Sequence, residues 1–247
     1  MLRLSLLCIN FVGGIFQANP VLAQGGFFDQ AKELMGNVDS VAPGASGLAS
    51  SEIADGLREA LRVGTERVVG QIGQTDGFNA DPDIHIPLPS SLQKVQSALE
   101  MVGMSELGDD LELKLNRAAE AATPKAKQMF VNAISEMTLE DAEAIYNGPN
   151  DSATQYFRSK MSAPLIEEMR PVVDATLSEV GAVQAFDRLM GEYQSLPLVP
   201  NVKAELTTYA LEEATDGLFF MLAREEAAIR ENPAKRTTEL LQKVFGQ

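Results

Sequence analysis

The chain has 247 residues, 35 Asp plus Glu against 20 Lys plus Arg, and a formal charge of −15. Phosphate backbones are repelled by such a balance unless a basic patch is set apart, and no Lys/Arg run suggests one, so nucleic acid is excluded as the expected partner. One cysteine and one histidine remove most thiolate, multi-histidine metal and disulfide chemistry at the outset.

Residues 1–23 carry the three parts of a secretory signal. Arg3 supplies the positive start, Leu4 to Phe16 an apolar stretch too short to span a bilayer, and Val21-Leu22-Ala23 the short residues of a cleavage site. The expected mature chain therefore begins at Gln24 and has no membrane span. Leu7 before Cys8 stands where a lipoprotein signal wants a small residue, so a lipid anchor is not expected. Cleavage removes Cys8 and Arg3, which leaves 224 cysteine-free residues with a charge of −16. The expected location is the periplasm of a Gram-negative bacterium.

Residues 24–50 read as a flexible N-terminal segment: a short apolar-acidic stretch from Phe27 to Met35, then a Gly/Ser/Ala/Pro-rich tether. The helical domain is expected over 51–247. Ser51 reads as an N-cap, and Ile53, Leu57, Ala60, Leu61, Val68, Val69 and Ile72 recur at helical spacing up to Gly73. The stretch Thr75–Pro89 has three prolines and many Asp, Asn and Gly residues, which forbid a helix. Ile84, Ile86 and Leu88 alternate there, as an extended segment would if it laid its apolar side chains on other helices.

Helical periodicity resumes at Ser90 and runs to Gly103, then from Leu107 to Thr123. Pro124 opens a segment to Met137, and Thr138 with Asp141 predicts a capping box for a short helix ending at Gly148. Further helices are predicted over Ala153–Met161, Pro164–Val180 and Val183–Leu196. The most apolar helix runs from Lys203 to Glu231, and its uncharged run Gly217–Ala223 predicts a nearly fully buried central element. Asn232 and Pro233 predict the start of a terminal helix bearing Leu240, Leu241, Val244 and Phe245. The fold class is thus all-α, an irregular multi-helix bundle.

Ile86-Pro-Leu-Pro89, Asn116-Arg-Ala-Ala-Glu120, Ala214-Thr-Asp-Gly-Leu-Phe219, Glu225-Glu226 with Ile229-Arg230, and Arg236-Thr-Thr238 leading to Val244-Phe-Gly246 together resemble the exported bacterial family known as domain of unknown function 4197. The resemblance covers roughly residues 50–247. It implies a helical fold and export, and it transfers no catalytic residue.

Three groups of residues are candidates for chemistry. Asp76, Asp81 and Asp83, with Asn79 and His85 beside them, are the densest oxygen donors in a loop, and calcium is the cation that such a set would take. Their ordinary reading is as turn residues that bond their own backbone. Glu225, Glu226, Arg230 and Arg236 follow the apolar run of the long helix; Glu226 and Arg230 stand four apart, as a helix-surface ion pair does. A buried network joining them to Asn116, Arg117 or Glu120 is the sharper expectation, since buried charges persist when paired. Phe219, Phe220 and Met221 form a stripe that is core in the ordinary reading and the wall of an apolar ligand cavity in the other.

No Gly-x-Ser-x-Gly elbow is present, and a hydrolase triad would depend on His85 alone. Two functions remain: a non-catalytic periplasmic protein that binds a protein or a small apolar ligand, or a carboxylate-based hydrolase using Glu120 with Glu225 or Glu226.

Overall fold

The extended stretch between the first two helices shapes the architecture, because its backbone needs partners that a helical bundle does not offer by itself. The computed structural model describes residues 50–191 and 202–236, together with Thr238, Gln242 and Phe245. These belong to the unit Leu48–Gln247; the expected signal and N-terminal segment lie outside the described residues. In chain order the helices are α1 Ser50–Ile72, α2 Ser90–Glu100, α3 Glu106–Ala122, α4 Pro124–Ser135, α5 Leu139–Tyr146, α6 Ser152–Glu179, α7 Ala182–Gly191 and α8 Val202–Glu231, then a 3₁₀ turn Pro233–Lys235. Among the described residues there is no strand, and no helix is long and apolar enough to cross a membrane.

Each helix buries the face that its spacing selects. In α1 the buried positions include Ala54, Leu57, Ala60, Val68 and Ile72, which face α4, α5 and α8. The capping box at α5 forms as expected: the Asp141 amide donates to Thr138 Oγ1 at 3.0 Å, and the Thr138 amide donates to Asp141 Oδ2 at 3.1 Å. The Thr138 amide first, then the Thr138 and Tyr156 hydroxyls, hold the Asp141 carboxyl below its ordinary range. At the centre, Phe130 of α4 meets Phe157 of α6 edge-on at 5.4 Å and Phe219 of α8 at 6.1 Å.

Two expectations are corrected. The predicted break near Met161 is absent, and α6 runs on through Pro164 and Pro171. Both prolines lie on the exposed side, so the carbonyls that lose an amide partner face water. Phe157, Met161, Leu165, Met169, Val173 and Leu177 keep an unbroken buried stripe opposite them. The second correction concerns α8. Although it packs along α6 and also meets α1 and α3, its apolar run is not buried all round, because Phe220 is 43% exposed. Arg224 lies over that ring at 5.7 Å and pairs with Asp83 at 2.7 Å.

The link from α1 to α2 lies against α8 at Gly217. A Cβ there would stand 2.9 Å from Phe78 Cε1 and 3.1 Å from Ile84 Cβ, so a side chain would push the extended stretch away. Gly70, on the exposed side of α1, meets nothing within 4 Å. Gly217→Val is expected to lower stability by about 1–3 kcal/mol through overpacking, whereas Gly70→Ala should raise it by about 0.5–1 kcal/mol. Thermal and urea unfolding of the two variants check this opposite pair.

Candidate functional site

Residues 73–89 form a strap that turns at Asp76, whose φ of 67° is left-handed, a conformation that Asp tolerates better than most residues. Phe78, Ile84, Ile86 and Leu88 then enter the core. Burying a strap strands its amides and carbonyls, and each one left unbonded costs about 1–3 kcal/mol. Helix α3 supplies the partners from Glu112, Asn116 and Glu120, which are spaced four apart and so share one face. Glu120 Oε1 accepts the amides of Phe78 and Asn79, both at 3.1 Å. Asn116 accepts the Ile86 amide at 2.9 Å and donates to the Ile86 carbonyl at 2.8 Å, as a neighbouring strand would. Glu112 Oε2 accepts the Leu88 amide at 3.0 Å.

The remaining polar groups of this face are paired as well. Arg117 bridges Glu120 and Asp76, each at 2.7 Å; with Asn79 it holds the Asp76 carboxyl below its ordinary range, Arg117 contributing most. His85 spends both ring nitrogens on oxygens, Nδ1 at 2.9 Å from the Asn79 carbonyl and Nε2 at 2.8 Å from Glu112. Neither is left for a nucleophile or a metal. Asp81 accepts the Asp83 amide in a local turn at 3.0 Å, and Asp83 pairs with Arg224. The carboxylates of Asp76, Asp81 and Asp83 thus go to different partners. Among the described residues no three His, Cys, Asp or Glu side chains gather in a way that could hold a metal ion.

The second polar set lies at the end of α8. Glu226 is 8% exposed and accepts the Ala153 amide at 3.0 Å and the Thr154 amide and hydroxyl at 2.9 Å. It therefore caps α6 from another helix, placing negative charge at that helix's positive end. Arg230 does the reverse for α5. It donates to the carbonyls of Ile145 at 2.8 Å and Tyr146 at 3.2 Å, and it pairs with Glu226 at 3.1 Å. Glu225 takes Arg67 of α1 and, at 3.4 Å, Lys235. Arg236 donates to the carbonyls of Ile229 at 3.1 Å and Arg230 at 2.8 Å, the last turn of α8.

The candidate residues therefore form two sets and not the single network expected. Asn116, Arg117 and Glu120 hold the strap; Glu225, Glu226, Arg230 and Arg236 hold the α5–α6 corner and the exit from α8. Phe219 is fully buried core. Glu112 is not among the residues that the sequence singles out, although its four-residue spacing from Asn116 is a usable signal. Nor is Tyr209, whose hydroxyl donates to the Pro87 carbonyl at 3.0 Å. Burial, with repulsion from Glu213 and Glu112, pushes the Tyr209 phenol up to about 12.

Among the described residues, fold and site together define an all-α bundle whose buried acids and amides tie down backbone. The chain belongs to the family described as Protein of unknown function (DUF4197), whose pattern matches residues 47–246. No curated protein and no solved structure matches it.

Arg230→Ala leaves Glu226 without its counter-charge and the Tyr146 carbonyl without its donor, and it is expected to lower stability by about 3–5 kcal/mol. Asn116→Ala strands both polar groups of Ile86, for about 2–4 kcal/mol, and hydrogen exchange should quicken first at the strap amides. Urea unfolding with residue-resolved exchange checks both. At high pH, the folded chain keeps the Tyr209 proton to about pH 12, whereas an unfolded tyrosine loses it near pH ~10. Its contribution is therefore complete below pH ~10 and vanishes between those values. Tyr209→Phe should flatten that alkaline loss of stability and remove the highest step of the phenolate titration.

Proposed function

We propose that this chain is a non-catalytic interaction protein, exported to the periplasm, whose helical bundle presents a binding surface to another protein or to a small apolar ligand. One observation carries the reading. The carboxylates that a hydrolase would need, Glu120, Glu225 and Glu226, are occupied by backbone amides, by arginines and by Lys235. A general acid or base must reach the proton that it transfers in a substrate. Here those oxygens serve the fold, and His85 is spent in the same way. The address rests on the three-part signal in residues 1–23, whose cleavage would begin the mature chain at Gln24.

The purified chain should turn over none of a panel of chromogenic glycosides, esters and phosphoesters above background. Hydrolysis that disappears in Glu226→Gln or Glu120→Gln, with the variants still folded by circular dichroism, would reverse the reading in favour of the hydrolase. For the address, cell fractionation should place the protein in the periplasm, and sequencing of its N-terminus should begin at Gln24. A chain retained in the cytoplasm with its first 23 residues intact would defeat it.

A further inference from the structure

Phe220 is the one exposed phenylalanine among the described residues. It stands near the middle of α8, with Asp216 four residues before it and Arg224 four residues after. Residues at that spacing share one side of a helix, so acid, ring and base follow one another along α8 at intervals of about 6 Å. Each charge of this stripe also has a partner from a neighbouring element. Arg158 of α6 reaches Asp216 at 2.5 Å, and Asp83 of the strap reaches Arg224 at 2.7 Å. All four charged side chains are about half exposed or more.

The order acid, ring, base is its own complement when reversed. An isologous contact sets one surface against a second copy of itself about a two-fold axis. With the axis at Phe220 and the two α8 helices antiparallel, Asp216 of each copy lies opposite Arg224 of the other, and the rings meet between them. The pairs within each copy extend this into two rows of alternating sign, Asp83, Arg224, Asp216 and Arg158, in which each inner charge has two opposite neighbours. The same register sets Glu213 opposite Ala227 and Tyr209 opposite Glu231, so no acid on this side of α8 meets an acid. Elsewhere a chain of net charge −15 tends to set carboxylate against carboxylate. Here two acids and two bases surround an exposed ring, and aromatic side chains and arginine are the residues that interfaces favour.

We propose that the chain forms a symmetric dimer through this side of α8, with Phe220 at the two-fold axis and Asp216 of each copy paired with Arg224 of the other. Such a dimer does not depend on what else the chain binds.

Sedimentation equilibrium of the full chain, in salt of about 0.15 M so that charges are screened beyond about 8 Å, should show a monomer–dimer equilibrium. Phe220→Asp sets two carboxylates together at the axis and should weaken it by about tenfold or more. Asp216→Arg alone sets arginine against arginine on both sides of the axis, and Arg224→Asp alone sets acid against acid. Each should weaken self-association by about tenfold or more. Mixed together, these two variants regain opposite charges on both sides, so they should bind each other at least about tenfold more tightly than either binds itself. Exposed ion pairs contribute little to stability, so all three variants should keep the helical circular dichroism of the unaltered chain. A chain that stays monomeric at the highest concentration reached would overturn the proposal. A dimer that survives both Phe220→Asp and Arg224→Asp would overturn it too, by placing the contact elsewhere. So would two singly reversed variants that fail to pair when mixed.

Discussion

The amides and carbonyls of residues 78–88 have to be satisfied inside a bundle that has no sheet to receive them, and one face of α3 does so. Asn116 is the centre of that arrangement. Its side-chain amide meets both polar groups of Ile86, while Glu120 and Glu112, one turn to either side, take the amides at the two ends of the strap. With the backbone held, Phe78, Ile84, Ile86 and Leu88 can sit in the core, and Gly217 lets α8 come close enough to cover them. Without those three side chains the apolar gain of the strap would be opposed by several unbonded groups at about 1–3 kcal/mol each.

The α5–α6 corner obeys the same constraint with charges in place of an amide. Two helix ends meet there, and α8 presents an acid to the positive end of α6 and a base to the negative end of α5, paired with each other at 3.1 Å. Each charge is compensated twice, by its partner and by a helix terminus, which is the condition under which buried ions are tolerated. That assigns a structural duty to residues that would attract suspicion in a cleft.

Much of the fold is legible in the sequence because periodicity reports local geometry. The spans of α1, α3 and α5, the capping box at Thr138 and Asp141, and the extended strap with its alternating Ile84, Ile86 and Leu88 all follow from spacing and turn chemistry. What spacing does not report is which face looks at water. Pro164 and Pro171 read as helix ends until they are seen on the exposed side of α6, and the run through Phe220 reads as buried until its 43% exposure is seen. The site was legible residue by residue but not in its grouping. Asn116, Glu120, Glu226 and Arg230 stand out as polar residues among apolar ones, yet the strap and helix-end backbone groups that they hold lie 30 to 85 positions away. No local pattern pairs Glu226 with the start of α6.

Those separations also set how much chain each set of bonds ties together. The α3 face reaches back only 24 to 42 residues to the strap, although the strap's apolar side chains also need α8 to cover them. The α5–α6 corner draws its charged partners from 72 to 85 positions further along. Closing a loop costs more as it lengthens, but each doubling adds only about 0.6 kcal/mol. A chain that lacked Glu226 would leave the amides at the head of its 28-residue helix α6 without that cap.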